Sequence, residues 1–286
     1  MSAQVFDDRQ CELGEGPLWH PERQQLFWFD ILGKKLLSRI DDQPLEWEFD
    51  EYVSAAGWID RDNLLIASET QLFQFNLDTG EETYVCGLEV EDKGTRSNDG
   101  RADPQGGFWI GMMGKAGEKR PGAIYRYFRG ELRKIFDKIA IPNAISFAPD
   151  GTLAYFTSSP DRRIMTTRLD SDGWPVGESS LFVDLRAQGY VPDGAVVAAD
   201  GTVWNARWGS FSVARHAADG TEMETFAIPG QNSTCPAFGG PDLKTLFCTT
   251  ALEHLTDEQR ATIPGNGMTY SVQTDTVGQA EHRVIL

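Results

Sequence analysis

Cysteine is scarce and scattered in this 286-residue chain: Cys11, Cys86, Cys235 and Cys248 fall in no Cys-x-x-Cys pair. That pattern suggests neither a thiolate zinc site nor a disulfide framework. We read the four as reduced side chains that mostly fill the interior, in a cytoplasm-like compartment. Histidine is nearly as rare. His20, His216, His254 and His282 form no His-x-x-x-His pair, and no Gly-x-Ser-x-Gly elbow occurs, which argues against Ser-His-Asp catalysis. Apolar runs are short, so no segment reaches the ~20 residues of a membrane span. The start, Met1-Ser-Ala-Gln-Val-Phe-Asp-Asp, is acidic where a secretory leader would be basic. Positive charge is in deficit: 26 Lys and Arg against 43 Asp and Glu give a net charge of −17. Such a surface repels phosphate backbones and anionic lipid, so we expect neither a nucleic-acid nor a membrane partner.

What the chain does have is a repeat of apolar strand, tight turn and apolar strand. Three copies are plain: Ala148-Pro-Asp-Gly-Thr-Leu-Ala-Tyr-Phe, Ala199-Asp-Gly-Thr-Val-Trp and Asp103-Pro-Gln-Gly-Gly-Phe-Trp-Ile. Three weaker ones begin at His20, Asp60 and Gly240. Asp, Pro and Gly suit the turns, and the β-branched and aromatic residues that follow suit a pleated sheet. The recurrence is close to the ~40–50 residues of a propeller blade. We therefore expect an all-β, six-bladed β-propeller spanning residues 1–286 as one domain, with little helix. A pair of β-sandwiches or a parallel β-helix would also repeat short strands, but the run from Leu132 to Asp161 shows no linker. Ring closure falls to strands near the termini, with Val5 and Phe6 at one end and His282-Arg-Val-Ile-Leu at the other as candidates.

Where each first strand should enter the central channel, four units carry a polar residue: Leu13-Gly-Glu15-Gly-Pro, Ser97-Asn98-Asp-Gly, Ile141-Pro-Asn143-Ala and Val191-Pro-Asp193-Gly. The units at Val53-Ser-Ala-Ala-Gly-Trp and Ser233-Thr-Cys-Pro-Ala carry no carboxylate or carboxamide there. Taken singly, each polar residue could be an ordinary turn residue. Their common phase instead points to convergence on one axis, where charge left unmatched is costly. A divalent cation resolves that cost. Glu15, Asn143 and Asp193 offer hard oxygen ligands, with Asn98 as a fourth or as a holder of bound water. Calcium leads on ligand hardness, and Zn²⁺, Mn²⁺, Fe²⁺ or Mg²⁺ also suit an open site. From Asp193 through the termini back to Glu15 is 108 residues, room for two blades and an insertion, expected around Glu253 to Gly267.

At these residues the chain resembles the SMP-30/gluconolactonase/regucalcin-like (LRE) family of six-bladed propellers, through Leu13-Gly-Glu-Gly-Pro-Leu-Trp, Arg96-Ser-Asn-Asp-Gly-Arg-Ala-Asp-Pro-Gln-Gly, Asn143-Ala-Ile-Ser-Phe-Ala-Pro-Asp-Gly and Phe238-Gly-Gly-Pro-Asp-Leu-Lys-Thr-Leu. The tail from Gly239 is most like the bacterial sugar lactonase branch. The resemblance implies metal ligation by Glu15, Asn143 and Asp193, substrate contact by Arg96 and Asn98, and a general-base role for Asp193. It also implies a small-molecule sugar lactone as substrate and a monomer or weak oligomer. The glutamate that some animal members use for sugar contact has no clear match in Gly111-Met-Met-Gly-Lys-Ala-Gly-Glu, so substrate preference does not carry over. Two other functions share these residues: a metal-dependent phosphotriesterase or arylesterase, and a non-enzymatic calcium-binding regulator. Arg96 alone reads equally as a surface arginine. Trp19, Phe108, Trp109, Trp204 and Trp208 read as blade packing, with Trp208 or Tyr190 alternatively at a pocket mouth.

Overall fold

The turn chemistry is where the expected repeat becomes structure. Gly151 and Gly201 adopt φ of 70° and 81°, a region open to glycine at little cost. Asp150 Oδ1 accepts from Thr152 N at 3.0 Å and Oγ1 at 2.7 Å, and Asp200 Oδ1 accepts from Thr202 N at 3.0 Å and Oγ1 at 2.6 Å. Each of the six turn copies joins the first and second strands of a four-stranded antiparallel sheet.

The six sheets form a six-bladed β-propeller, and the computed structural model describes residues 2–117 and 120–286. Blades 1 to 6 have as first strands Gly14–His20, Val53–Trp58, Thr95–Ala102, Pro142–Phe147, Val191–Val197 and Asn232–Gly239. These strands pack against one another around the axis, and their side chains are almost all buried. Outer strands such as Glu131–Ile139 and Pro175–Asp184 are largely exposed. Burial on both faces explains why a second strand such as Gln25–Asp30 is continuously apolar at its centre instead of alternating.

Aromatic rings join the blades. Trp109 of blade 3 meets Phe147 of blade 4 edge-on at 5.3 Å, and Trp204 of blade 5 meets Phe238 of blade 6 at the same distance. Trp19, Phe108, Trp109 and Trp204 are buried as expected, while Trp208 is half-buried. Cys11, Cys235 and Cys248 are buried and Cys86 is half-buried, all four free.

Closure comes from one terminus. Gln4–Asp7 pairs antiparallel with Thr269–Gln273 and becomes the outer strand of blade 6. The C-terminal candidate for that pairing is corrected: residues 277–285 instead cross the end of the axis opposite the first-strand entry points. Gly278 bridges Ala198, Gln279 Nε2 donates to Phe147 O and Val197 O, Val284 N donates to Trp58 O and Ile285 N to Gly106 O. Arg101 and Glu281 form a buried ion pair of 2.6 Å there. The insertion holds a short helix, Asp257–Thr262, with a Thr256/Gln259 capping box. Among the described residues no helix is long and apolar enough to cross a membrane.

Candidate metal centre

The pairing of first and second strands skips at an equivalent place in every blade: between Glu15 and Leu18, Ser97 and Gly100, Asn143 and Ser146, Pro192 and Ala195, Ser233 and Pro236, and Val53 and Ala55. A bulge re-aims a side chain that a regular strand would send into a blade interface. Gly16 and Ala144, the residues after Glu15 and Asn143, both take left-handed conformations with φ of 53° and 57°. A Cβ on Gly16 would lie 2.3 Å from Ser54 O. Ala144 has no such obstacle and holds backbone strain of about 1–3 kcal/mol at this point of the ring.

The bulges bring Glu15, Arg96, Asn98, Asn143 and Asp193 to the wall of one cavity of about 780 Å³. All five are buried, with exposures of 3–6%. The turn readings of Glu15, Asn98, Asn143 and Asp193 are therefore replaced by bulged first strands, and the surface reading of Arg96 by a buried one. In blades 2 and 6 the equivalent residues are Ser54, which donates to Ser97 Oγ at 2.8 Å, and Thr234, which donates to Gly14 O at 2.6 Å. Those hydroxyls tie first strands together and add no charge.

A hydrogen-bond relay fixes the two carboxamides. Arg96 Nη1 donates to Asn98 Oδ1 at 2.8 Å; Asn98 Nδ2 donates to Asn143 Oδ1 at 2.9 Å and Pro142 O at 3.0 Å; Asn143 Nδ2 donates to Ser159 Oγ at 2.9 Å. Among the described residues Asn143 Oδ1 accepts from Asn98 alone, so it retains a second lone pair.

The carboxylates are less well matched. Glu15 Oε2 accepts from Gly16 N at 3.0 Å, and among the described residues neither Glu15 nor Asp193 forms an ion pair. Burial, and then the Asp99 charge, push the Glu15 carboxyl up to about 8. Burial and the Glu15 charge likewise push Asp193 well above the usual carboxylate range. Two buried acids that oppose each other's ionisation, beside a carboxamide oxygen, form a donor set that fits a hard divalent cation. Among the described residues no three His, Cys, Asp or Glu side chains gather as a metal cluster; here the third donor is an amide.

Three contributors escaped sequence reasoning. Asn205 Nδ2 donates to Asp193 O at 3.0 Å and Gly194 O at 3.1 Å, pinning the bulge that aims Asp193. Asp99, beside Asn98, is buried, accepts from Ile145 N at 2.7 Å and is pushed up to about 6 by burial. Glu253, in the insertion, lines the cavity. The Asn205 signal lies within the blade repeat, but its target is a backbone oxygen with no sequence signature. Trp208 and His254 also line the cavity, whereas Tyr190 lies under the Arg207 guanidinium at 4.0 Å. Glu118, in the stretch where a match to the sugar-contacting glutamate would fall, lies outside the described residues.

Comparison with known proteins agrees with this architecture. The family pattern described as the SMP-30/Gluconolactonase/LRE-like region matches residues 13–252. An L-arabinolactonase of Azospirillum brasilense is 33% identical over 98% of this chain and 95% of its own. A pentonolactonase of Haloferax volcanii is 34% identical over 85% and 83%. The crystal structure of a calcium-binding protein, regucalcin, from Agrobacterium tumefaciens superimposes with a TM-score of 0.97 at 37% identity, covering 100% of this chain and 98% of that one.

Proposed function

The chain belongs to the SMP-30/gluconolactonase/LRE-like family, and from that premise we propose that it is a hydrolase that opens a sugar lactone to the corresponding sugar acid. The observation that carries the reading is the convergence of Glu15, Asn143 and Asp193 from three blades on one cavity. Relatives named as an arabinolactonase and a pentonolactonase support a pentose or hexose lactone as substrate.

Glu15, Asn143 and Asp193 would hold one divalent cation, with calcium favoured by three hard oxygens. When bound, that ion would supply a Lewis-acid charge that polarises the lactone carbonyl. The chain's own residues do the rest. Asp193 accepts a proton from the attacking water, and Asn205 holds its backbone in place. Arg96, buried and with one of its amino groups held by Ser97 O and Asn98, presents its remaining N–H groups to ring hydroxyls or to the departing ring oxygen. Asn98 keeps Asn143 in one amide orientation. The C-terminal segment crosses the far end of the axis.

Metal-stripped protein, assayed by pH indicator against a panel of sugar lactones with each divalent ion returned in turn, tests the reading. Ion-dependent hydrolysis of at least one sugar lactone is expected. Full hydrolysis without any ion would remove the metal, and no hydrolysis under any condition would favour the second reading, a calcium-binding protein without catalysis. The calcium-binding relative supports that alternative. Aryl esters in the same panel separate an esterase from a lactonase.

A further inference from the structure

Glu253 sits at the start of the insertion between the last two strands of blade 6, outside the blade repeat, and lines the same cavity as Arg96 and Asp193. Its backbone is held on both sides: its N–H donates to Glu12 O at 2.8 Å, and its carbonyl accepts from Asn232 Nδ2 at 2.9 Å. The next residue, His254, takes a left-handed φ of 64°, a conformation that a β-carbon disfavours and that persists only where the surroundings impose it. The chain is thus fixed where the Glu253 side chain leaves it.

The carboxylate itself is uncommitted. Among the described residues no hydrogen-bond donor reaches its oxygens, and the exposed ring of its neighbour His254 stands at 3.8 Å, beyond hydrogen-bond reach. The side chain is only 25% exposed, so it faces the cavity and not bulk solvent. The Glu253 carboxylate and the Arg96 guanidinium line the same cavity. Trp208, half-buried on the same wall and edge-on to His254 at 6.3 Å, adds an aromatic surface. An acceptor, a donor and an aromatic surface around one opening match the hydroxyls and C–H groups of a polyhydroxylated ring.

We propose that Glu253 is a specificity-determining residue whose carboxylate accepts hydrogen bonds from a substrate hydroxyl across the cavity from Arg96, which selects polyhydroxylated lactones. The proposal rests on the lactonase reading above. It assigns Glu253 to substrate recognition. The Glu253 charge also reaches the Glu15 and Asp193 carboxyls and adds to burial in raising both.

The test compares wild type with Glu253→Gln and Glu253→Ala, measuring kcat and KM on the best sugar lactone, calcium affinity by calorimetry and Tm. KM is expected to rise about tenfold or more in Glu253→Ala, as loss of a charged hydrogen bond implies. Glu253→Gln, which keeps an acceptor oxygen, should lie between that and wild type, with kcat at saturating calcium and Tm near wild type in both. A KM within twofold of wild type in both variants overturns the proposal. So does a fall in kcat at saturating calcium that matches the loss of activity, because Glu253 would then act on the reaction centre. A wild-type protein that hydrolyses no lactone overturns the parent reading and this one together, whereas an active wild type with unaffected variants overturns this one alone.

Discussion

Asp193 and Glu15 are two acids sealed in the same wall, and burial opposes the ionisation of both. Asp193→Asn should reduce lactone turnover on the order of 10³-fold, the range of a lost general base, as measured by initial rates at saturating metal. Asn98→Ala releases the Asn143 amide, so cation affinity should fall about 10–100-fold, as is typical when the partner of a ligand is removed, with calorimetry as the readout. The positions of Glu15, Asn98, Asn143 and Asp193 were legible in the sequence because they recur at one phase of the repeat. Glu253 was not, since the insertion that carries it has no repeat to set a phase. His20 supplies a pH dependence remote from the site. Its Nε2 donates to Asp60 O at 3.0 Å and its Nδ1 accepts from Arg23 N at 3.3 Å, an arrangement only the neutral ring can make, and burial holds its pKa below the usual value. The unfolded chain therefore takes up the proton first, and stability present above about pH 6.5 is lost as pH falls below it. The raised Glu15, Asp99 and Asp193 carboxyls act in the opposite direction, so the readout is a difference: the Tm advantage of wild type over His20→Gln should shrink in thermal melts from pH 8 to 5.

Individual elements show how sequence and tertiary packing divide the work. The Asp-Gly turns were readable because their chemistry is local: an aspartate acceptor, a positive-φ glycine, a β-branched continuation. The N-terminal closing strand was readable from Val5 and Phe6. The C-terminal segment was misassigned to closure because Val284 and Ile285 have strand-like composition; they are drawn instead to Trp58 and Gly106, where the far end of the axis offers unpaired backbone. That segment also matches Arg101 with Glu281. Arg101→Ala would leave Glu281 buried without its partner and should destabilise the protein by about 3–5 kcal/mol in urea unfolding. Replacing both by apolar residues of similar volume should cost much less, because no charge then remains buried.

For the whole molecule, the ring turns six ordinary hairpins into a site that no blade could build alone. Glu15, Asn143 and Asp193 come from blades 1, 4 and 5, so the donor set exists only when the propeller is closed. Folding and cation binding should consequently be linked. Calcium at a hundred times its dissociation constant should stabilise the protein by about 2.7 kcal/mol, and chelation should remove that gain. The most direct measurement is calorimetric titration of metal-stripped protein with calcium, with wild type beside a Glu15→Gln/Asp193→Asn double variant of unchanged fold. We predict one site per chain in the wild type and none in the double variant. Equal binding by the two proteins, or no binding by the wild type, would contradict the account.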